Sequence, residues 1–132
     1  MRRAPESRLR AMRGADADKG VVALEFAGFL PILLLVAMAA IQLGIVGYAA
    51  SQANSAARAA ARVGSQEDTR GQCQAAGKAA MSTWMASRTE ISGCGGGDIV
   101  TVTAKVNVPA LIPVFNVGTI TKSASMPADD TP

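Results

Sequence analysis

Few residues in this 132-residue chain could do chemistry, and the two most informative, Gly20 and Glu25, lie just before a long apolar run. A charged side chain at the edge of such a run costs on the order of a few kcal/mol, so Glu25 suggests a specific purpose. The chain contains no histidine, which excludes histidine-based acid–base and nucleophilic catalysis. Its ten carboxylates are scattered, and no Ser-x-x-Lys motif occurs. We therefore predict no enzymatic activity, no catalytic residue and no cofactor.

The only two cysteines, Cys73 and Cys94, both follow the apolar run. Outside the cytoplasm such a pair can oxidise to one disulfide. Two thiols without a histidine do not complete a four-ligand zinc site within one chain, so we predict no metal site. The glycine-rich segment 90–98 lacks the Lys-Ser/Thr ending of a phosphate-binding loop. We interpret it as a turn that brings Cys94 near Cys73.

The element that must position Gly20 and Glu25 is the apolar run itself. Residues 26–57 contain no Lys, Arg, Asp or Glu, and the run is most strongly apolar over residues 26–41. With its weaker continuation it passes the usual length of a membrane-spanning helix. Pro31 lies within the run, where it removes one backbone donor and is expected to kink the helix.

The charge is divided unevenly on the two sides of residue 20. Residues 1–20 carry six basic and three acidic side chains, whereas residues 21–132 carry seven of each. This positive-inside pattern predicts a cytoplasmic N-terminus and places the remainder outside. Residues 1–20 also show no apolar periodicity, and we predict an unstructured, basic cytoplasmic leader. Because no basic patch is interleaved with aromatic residues, we predict no nucleic-acid partner.

Residues 21–64 are predicted to form one helix that continues beyond the membrane. Such a helix would span roughly 66 Å, against a hydrocarbon core of about 30 Å. After Tyr48 a polar face recurs at helical spacing, and a second face carries small residues that would let another helix approach closely. The polar face comprises Ser51, Ser55, Arg58 and Arg62, and the small face comprises Ala49, Ala53, Ala56, Ala57, Ala60 and Gly64.

Residues 65–132 are predicted to form a small extracytoplasmic domain. A second, shorter helix over residues 72–88 would direct Met81, Trp84 and Met85 towards the first helix or a sheet. Residues 99–108 alternate valine or alanine with polar residues, which is typical of a strand with one buried face. A second strand over residues 114–126 would complete an antiparallel hairpin with a five-residue connection. Two strands alone are marginal, so the hairpin should pack on the second helix or on a neighbouring subunit, giving an α+β fold.

The N-terminal pattern resembles a known family. Residues 19–26 read Lys-Gly-Val-Val-Ala-Leu-Glu-Phe, a Leu-Pro pair follows at Pro31, and the small-residue helix ends Ala-Ala-Arg-Ala-Ala-Ala-Arg. Together these elements resemble the TadE-like pilus-assembly proteins, whose N-terminus is similar to that of type IV prepilins and pseudopilins. The resemblance implies that a prepilin peptidase cuts after Gly20 and that Val21 becomes the new N-terminus. It also implies that Glu25 pairs with a free N-terminal amine in the assembly.

The resemblance further implies a minor pilin of a tight-adherence type pilus or a related secretion apparatus. We expect a single-pass cell-membrane protein that can enter a surface pilus, with other pilin-like subunits and pilus-assembly membrane proteins as partners. Two alternatives stay open. The chain could be an unprocessed anchor that displays a small binding domain, or a secreted protein cleaved between Ala39 and Ala40 after a small-x-small motif. The three hypotheses differ in the residue that starts the mature chain.

Overall fold

The computed structural model describes the backbone of residues 6–129 and the side chains of residues 19–129. Its helices are α1 (Glu6–Gly64), α2 (Cys73–Ala79) and α3 (Thr83–Ala86), with a 3-10 turn at Arg70–Gln72. Its strands are β1 (Thr89–Ser92), β2 (Ile99–Asn107) and β3 (Thr119–Pro127). The chain divides into two compact units, Met1–Ala39 and Ala40–Pro132. The α+β class predicted from the sequence is confirmed.

The first unit is helical, and its helix starts earlier than predicted. Because α1 begins at Glu6, the prediction of an unstructured leader is wrong for residues 6–20, while residues 1–5 lie outside the described part. The segment contains three Arg and three Ala, which favour helices, and Gly14 costs only about 1 kcal/mol. Extending an existing helix adds one hydrogen bond for each residue ordered. The helix continues through Pro31, and the kink there stays a prediction.

The core of the second unit lies between the C-terminal part of α1 and the sheet. On the helix side, every buried side chain from Ala49 to Ala61 is an alanine. On the sheet side, the inward residues of β2 are 0–1% exposed. The helix contributes Ala49, Ala53, Ala56, Ala57, Ala60 and Ala61, and β2 contributes Val100, Val102, Ala104 and Val106. The small face predicted on the first helix is therefore confirmed.

The sheet has three antiparallel strands in the order β1-β2-β3, rather than the predicted two. The alternation predicted for β2 is confirmed. The additional strand, β1, pairs Thr89 with Val106 and Ser92 with Thr103, so the predicted glycine-rich loop begins only after Ser92. Thr89 and Ile91 are buried within β1. Four residues give too short an alternation to be recognised in a sequence.

The connection between β2 and β3 is longer than predicted. The ladder begins with Asn107 opposite Thr119 and ends with Ile99 opposite Pro127. The predicted strand start at residue 114 and the five-residue connection are therefore wrong. Gly118 turns the chain at φ 72°, a value that favours glycine, and its N–H donates to the Asn116 side chain. We call residues 108–118 the tip loop.

The predicted second helix over residues 72–88 is wrong as a single element, because the chain breaks between α2 and α3. Ser82 is extended, with φ −63° and ψ 145°. Its backbone N–H donates to Oε1 of Gln52 on α1 over 3.0 Å, which favours the break. Met81 and Met85 are nevertheless buried, and Trp84 stacks on Tyr48 of α1. The predicted contact with the first helix is confirmed.

A disulfide joins Cys73 at the start of α2 to Cys94 in the glycine-rich loop. The two sulfur atoms are 2.10 Å apart and the two Cα atoms 6.0 Å apart. This end of the unit also holds Ser65, whose carbonyl accepts a hydrogen bond from Asp129 N–H over 2.9 Å. The disulfide therefore lies at the end of the unit where α1 finishes.

Candidate processing site and helix surfaces

The N-terminal part of α1 presents apolar side chains that the described chain leaves uncovered. All residues from Lys19 to Ile41 are exposed, including Phe26 at 62% and Leu35 at 60%. Residues Lys19–Gly64 form the one described helix long and apolar enough to cross a membrane. Residues 26–57 of this helix contain no charged residue, and an uncharged apolar run of this length is typical of a helix in lipid rather than in water.

Gly20 and Val21, the predicted processing site, lie within α1. A Cβ atom added to Gly20 would meet no atom within 4 Å, and Val21 is 57% exposed. The described part of the chain therefore gives no packing reason for a glycine at position 20. Backbone conformation gives none either, since Gly20 is not among the glycines with positive φ.

Glu25 lies four residues after Val21 on the same helix, so the two residues share a face one turn apart. Its side chain is exposed. No described residue gives it a hydrogen bond or an ion pair. Glu25 is also the only charged residue between Lys19 and Arg58, which leaves one carboxylate alone on an apolar surface.

The two faces predicted for the outer part of α1 are separated as expected. Ser51, Ser55, Arg58 and Arg62 are all exposed, whereas the small face is buried. The small face contacts α2 at Gly77, which is itself buried. The close approach of another helix, predicted from the small residues, thus occurs within the chain itself.

Gln42 is a site residue that sequence reasoning missed. It is 4% exposed, and both ends of its amide hold the tip loop. Nε2 donates to the carbonyl of Pro109 over 3.2 Å, and Oε1 accepts from the N–H of Leu111 over 2.9 Å. One sequence feature could have identified it, because Gln42 is the only amide side chain in residues 26–50.

An aromatic pair lies further along α1. The rings of Tyr48 and Trp84 are stacked with centroids 6.2 Å apart. The Tyr48 hydroxyl donates to Oγ of Ser82 over 3.2 Å. Both rings stay partly exposed, Tyr48 at 42% and Trp84 at 45%. The pair gives this region an amphipathic surface, with ring faces and polar atoms side by side.

Comparison with known proteins supports the resemblance seen in the sequence. Residues 20–62 match the sequence model of a family described as TadE-like protein, which covers 43 of the 132 residues. No curated protein matches the chain significantly, and no solved structure does so. The match begins at Gly20, includes Glu25 and Pro31, and ends at Arg62. The matched segment lies within the candidate membrane-spanning helix, Lys19–Gly64.

Proposed function

We propose that the chain is a membrane-inserted, pilin-like subunit of a tight-adherence type pilus or a related secretion apparatus, with the role of a minor pilin. One observation carries the proposal: the segment that matches the TadE-like family begins with the uncovered apolar part of α1. An apolar surface of this extent requires lipid or neighbouring helices as its surroundings. The subunit would act by helix packing and would catalyse no reaction.

Leader removal between Gly20 and Val21 is the first step of this function. Among the described residues, the absence of any packing or conformational demand for glycine at position 20 supports recognition from outside the chain. A prepilin peptidase is the partner that would read this position. Cleavage would remove residues 1–20, with their net charge of +3, and leave an amine on Val21.

Glu25 is the residue that this amine would meet. After cleavage the amine stands at the first residue of the helix, one turn before Glu25. A carboxylate in the first turn is favoured by the helix macrodipole. In an apolar bundle, the amine of the same or a neighbouring subunit would offset the cost of burying the Glu25 charge. The exposed position of Glu25 leaves it open to such a neighbour.

The location follows from the same elements. The N-terminal charge excess favours a cytoplasmic N-terminus. The disulfide between Cys73 and Cys94 favours an oxidising compartment for the second unit. The protein would therefore cross the cell membrane once and display residues 65–132 outside, where other pilin-like subunits and pilus-assembly membrane proteins would bind and carry it into a surface pilus.

A second candidate is a secreted protein released by cleavage between Ala39 and Ala40. A specific observation favours it, because the second compact unit begins at Ala40. All of the fully buried alanines of α1 lie beyond that position. Release there would keep the core of the second unit complete.

The mature N-terminus tests the proposal. The full chain is expressed with an active prepilin peptidase, extracted from membranes, and analysed by intact mass and N-terminal sequencing. We expect a chain that starts at Val21. Gly20→Leu should keep the leader, whereas Gly28→Leu, a glycine with equal space around it, should be processed normally. A start at Ala40 would establish secretion, and a start at Met1 beside a peptidase that cleaves its own substrate would establish an unprocessed anchor.

A further inference from the structure

The tip loop, which connects β2 to β3, has an apolar surface that no described residue covers. Its side chains include Val114 at 88% exposed, Phe115 at 67%, Leu111 at 45% and Val117 at 43%. Residues 108–118 contain no charged residue. Exposed apolar residues grouped on one loop mark an interaction surface more often than chance exposure does.

The attachment of this loop to Gln42 fixes where along the chain it lies. Both amide atoms of Gln42 bond to the loop backbone. Gln42 is the third residue after Ala39, so chain connectivity alone keeps their Cα atoms within about 11 Å. If residues 21–39 cross a bilayer, this connectivity keeps the part of the tip loop bound to Gln42 within a short distance of the point where the chain leaves the bilayer.

We propose that the tip loop inserts its apolar side chains into the lipid interface of the outer membrane leaflet. The inference rests on the proposed membrane insertion of α1 and goes beyond it, because it assigns a second lipid contact 69 residues further along the chain. The occupant of this surface is the bilayer itself rather than a protein partner.

The aromatic residues near the loop fit this depth. Tyr48 follows Gln42 by six residues, or about 9 Å along a helix. Its ring and that of Trp84 stay partly exposed. Tyr and Trp are enriched at membrane–water interfaces, where the ring lies among the headgroups and the polar atom faces water.

The charges around the loop fit it as well. Lys105 and Lys122, on β2 and β3, are the charged residues closest to the loop in sequence, and both are exposed. Lys105 precedes the end of β2 by two residues, or about 7 Å, which matches a headgroup layer of about 5–8 Å. Lysine side chains extend towards lipid phosphates from such positions. Arg88 lies at the same end, since its carbonyl accepts from Asn107 N–H. Its positive charge balances the negative charge of Glu90, which pairs opposite Lys105.

The test places one tryptophan at a time in the full-length protein. In a Trp84→Phe background, Phe115→Trp probes the tip loop and Phe29→Trp probes the membrane-spanning part of α1. Ile99→Trp is the matched control, because Ile99 lies at the other end of β2 and is also 67% exposed. The proteins are reconstituted in phosphatidylethanolamine–phosphatidylglycerol vesicles that carry acyl-brominated phosphatidylcholine as a quencher.

We expect bromine to quench most of the emission from positions 29 and 115 and to leave position 99 unaffected. The emission of position 115 should also shift to shorter wavelength than that of position 99. Quenching at 29 together with emission at 115 that equals that at 99 would overturn this inference alone. Loss of quenching at 29 would overturn the proposed insertion of α1, and the lipid contact of the loop with it. The emission of position 115 could instead shift to shorter wavelength without bromine quenching, by an amount that grows with the protein-to-lipid ratio. In that case a second copy covers the loop and the lipid assignment is wrong.

Discussion

Gly77 of α2 lies so close to α1 that a Cβ atom at position 77 would stand 3.0 Å from the Cβ of Ala60. The same atom would stand 3.1 Å from the carbonyl oxygen of Ala56 and would overlap the end of Ile91. The backbones of α1 and α2 cannot move apart here without losing packing contacts in the core. The close contact between α1 and α2 therefore requires glycine at position 77, where any other residue would place a Cβ atom.

Substitution of this glycine should destabilise the second unit. We expect Gly77→Ala to lower the free energy of unfolding by about 1–3 kcal/mol, as inserted methyl groups do in packed cores. The change is measured as a shift in the denaturant midpoint of tryptophan fluorescence in detergent. Gly71→Ala is the control, since a Cβ there meets no atom within 4 Å. Equal midpoints for the two variants would contradict the close approach.

Loss of the Gln42 amide should release the tip loop. Gln42→Leu keeps the side-chain volume roughly constant but leaves the carbonyl of Pro109 and the N–H of Leu111 without their partner. Both hydrogen bonds are part-buried, and the loss of each costs on the order of 1 kcal/mol. Hydrogen exchange at the Leu111 amide should therefore accelerate about tenfold. Gln74→Leu, an exposed glutamine on α2, should leave that rate unchanged. Unaltered exchange in the Gln42 variant would show that the loop is held by other contacts.

Removal of the Glu25 carboxylate should separate membrane insertion from assembly. We expect Glu25→Ala to insert normally, because the change removes a charge from an apolar segment. Co-purification with partner pilins should fall, since the free amine of Val21 would lose its counter-charge. Glu67→Ala, an exposed acid outside the helices, serves as the control. Normal recovery of partners with the Glu25 variant would refute the pairing role.

Loss of the disulfide should weaken the second unit markedly. The bond closes a loop with a sequence separation of 21, for which the chain-entropy relation gives about 3 kcal/mol. A Cys73→Ser, Cys94→Ser double variant should therefore unfold at lower denaturant than the oxidised wild type. A reducing agent should shift the wild type to the same midpoint and leave the double variant unmoved. A reductant effect on the double variant would show that another process is being measured.

The parts of the fold that were predictable are those with a local signal. The apolar run and the alternation along β2 each repeat over many residues, so the period identifies the element. Contact of Trp84 and the two buried methionines with the first helix or a sheet was predicted because large apolar side chains tend to be buried. The family match over residues 20–62 likewise follows a contiguous pattern.

The parts that were missed depend on distant partners. Gln42 and Leu111 are 69 residues apart, and nothing near either one predicts the other. The four residues of β1 become a strand because β2 supplies their hydrogen-bond partners. The break before Ser82 is favoured by Gln52 on α1. In each case a tertiary contact overrides the local preference.

The alanine face of α1 also has a consequence for the order of events during biogenesis. The helix can form as soon as its own residues are made, whereas the sheet needs strands that end at Pro127. Until then the alanine face of the helix stays uncovered. An uncovered face of alanines exposes less apolar area than a face of leucines. It therefore offers chaperones and other nascent chains a smaller surface to bind. The small side chains that permit tight packing in the finished protein thus also protect the unfinished one.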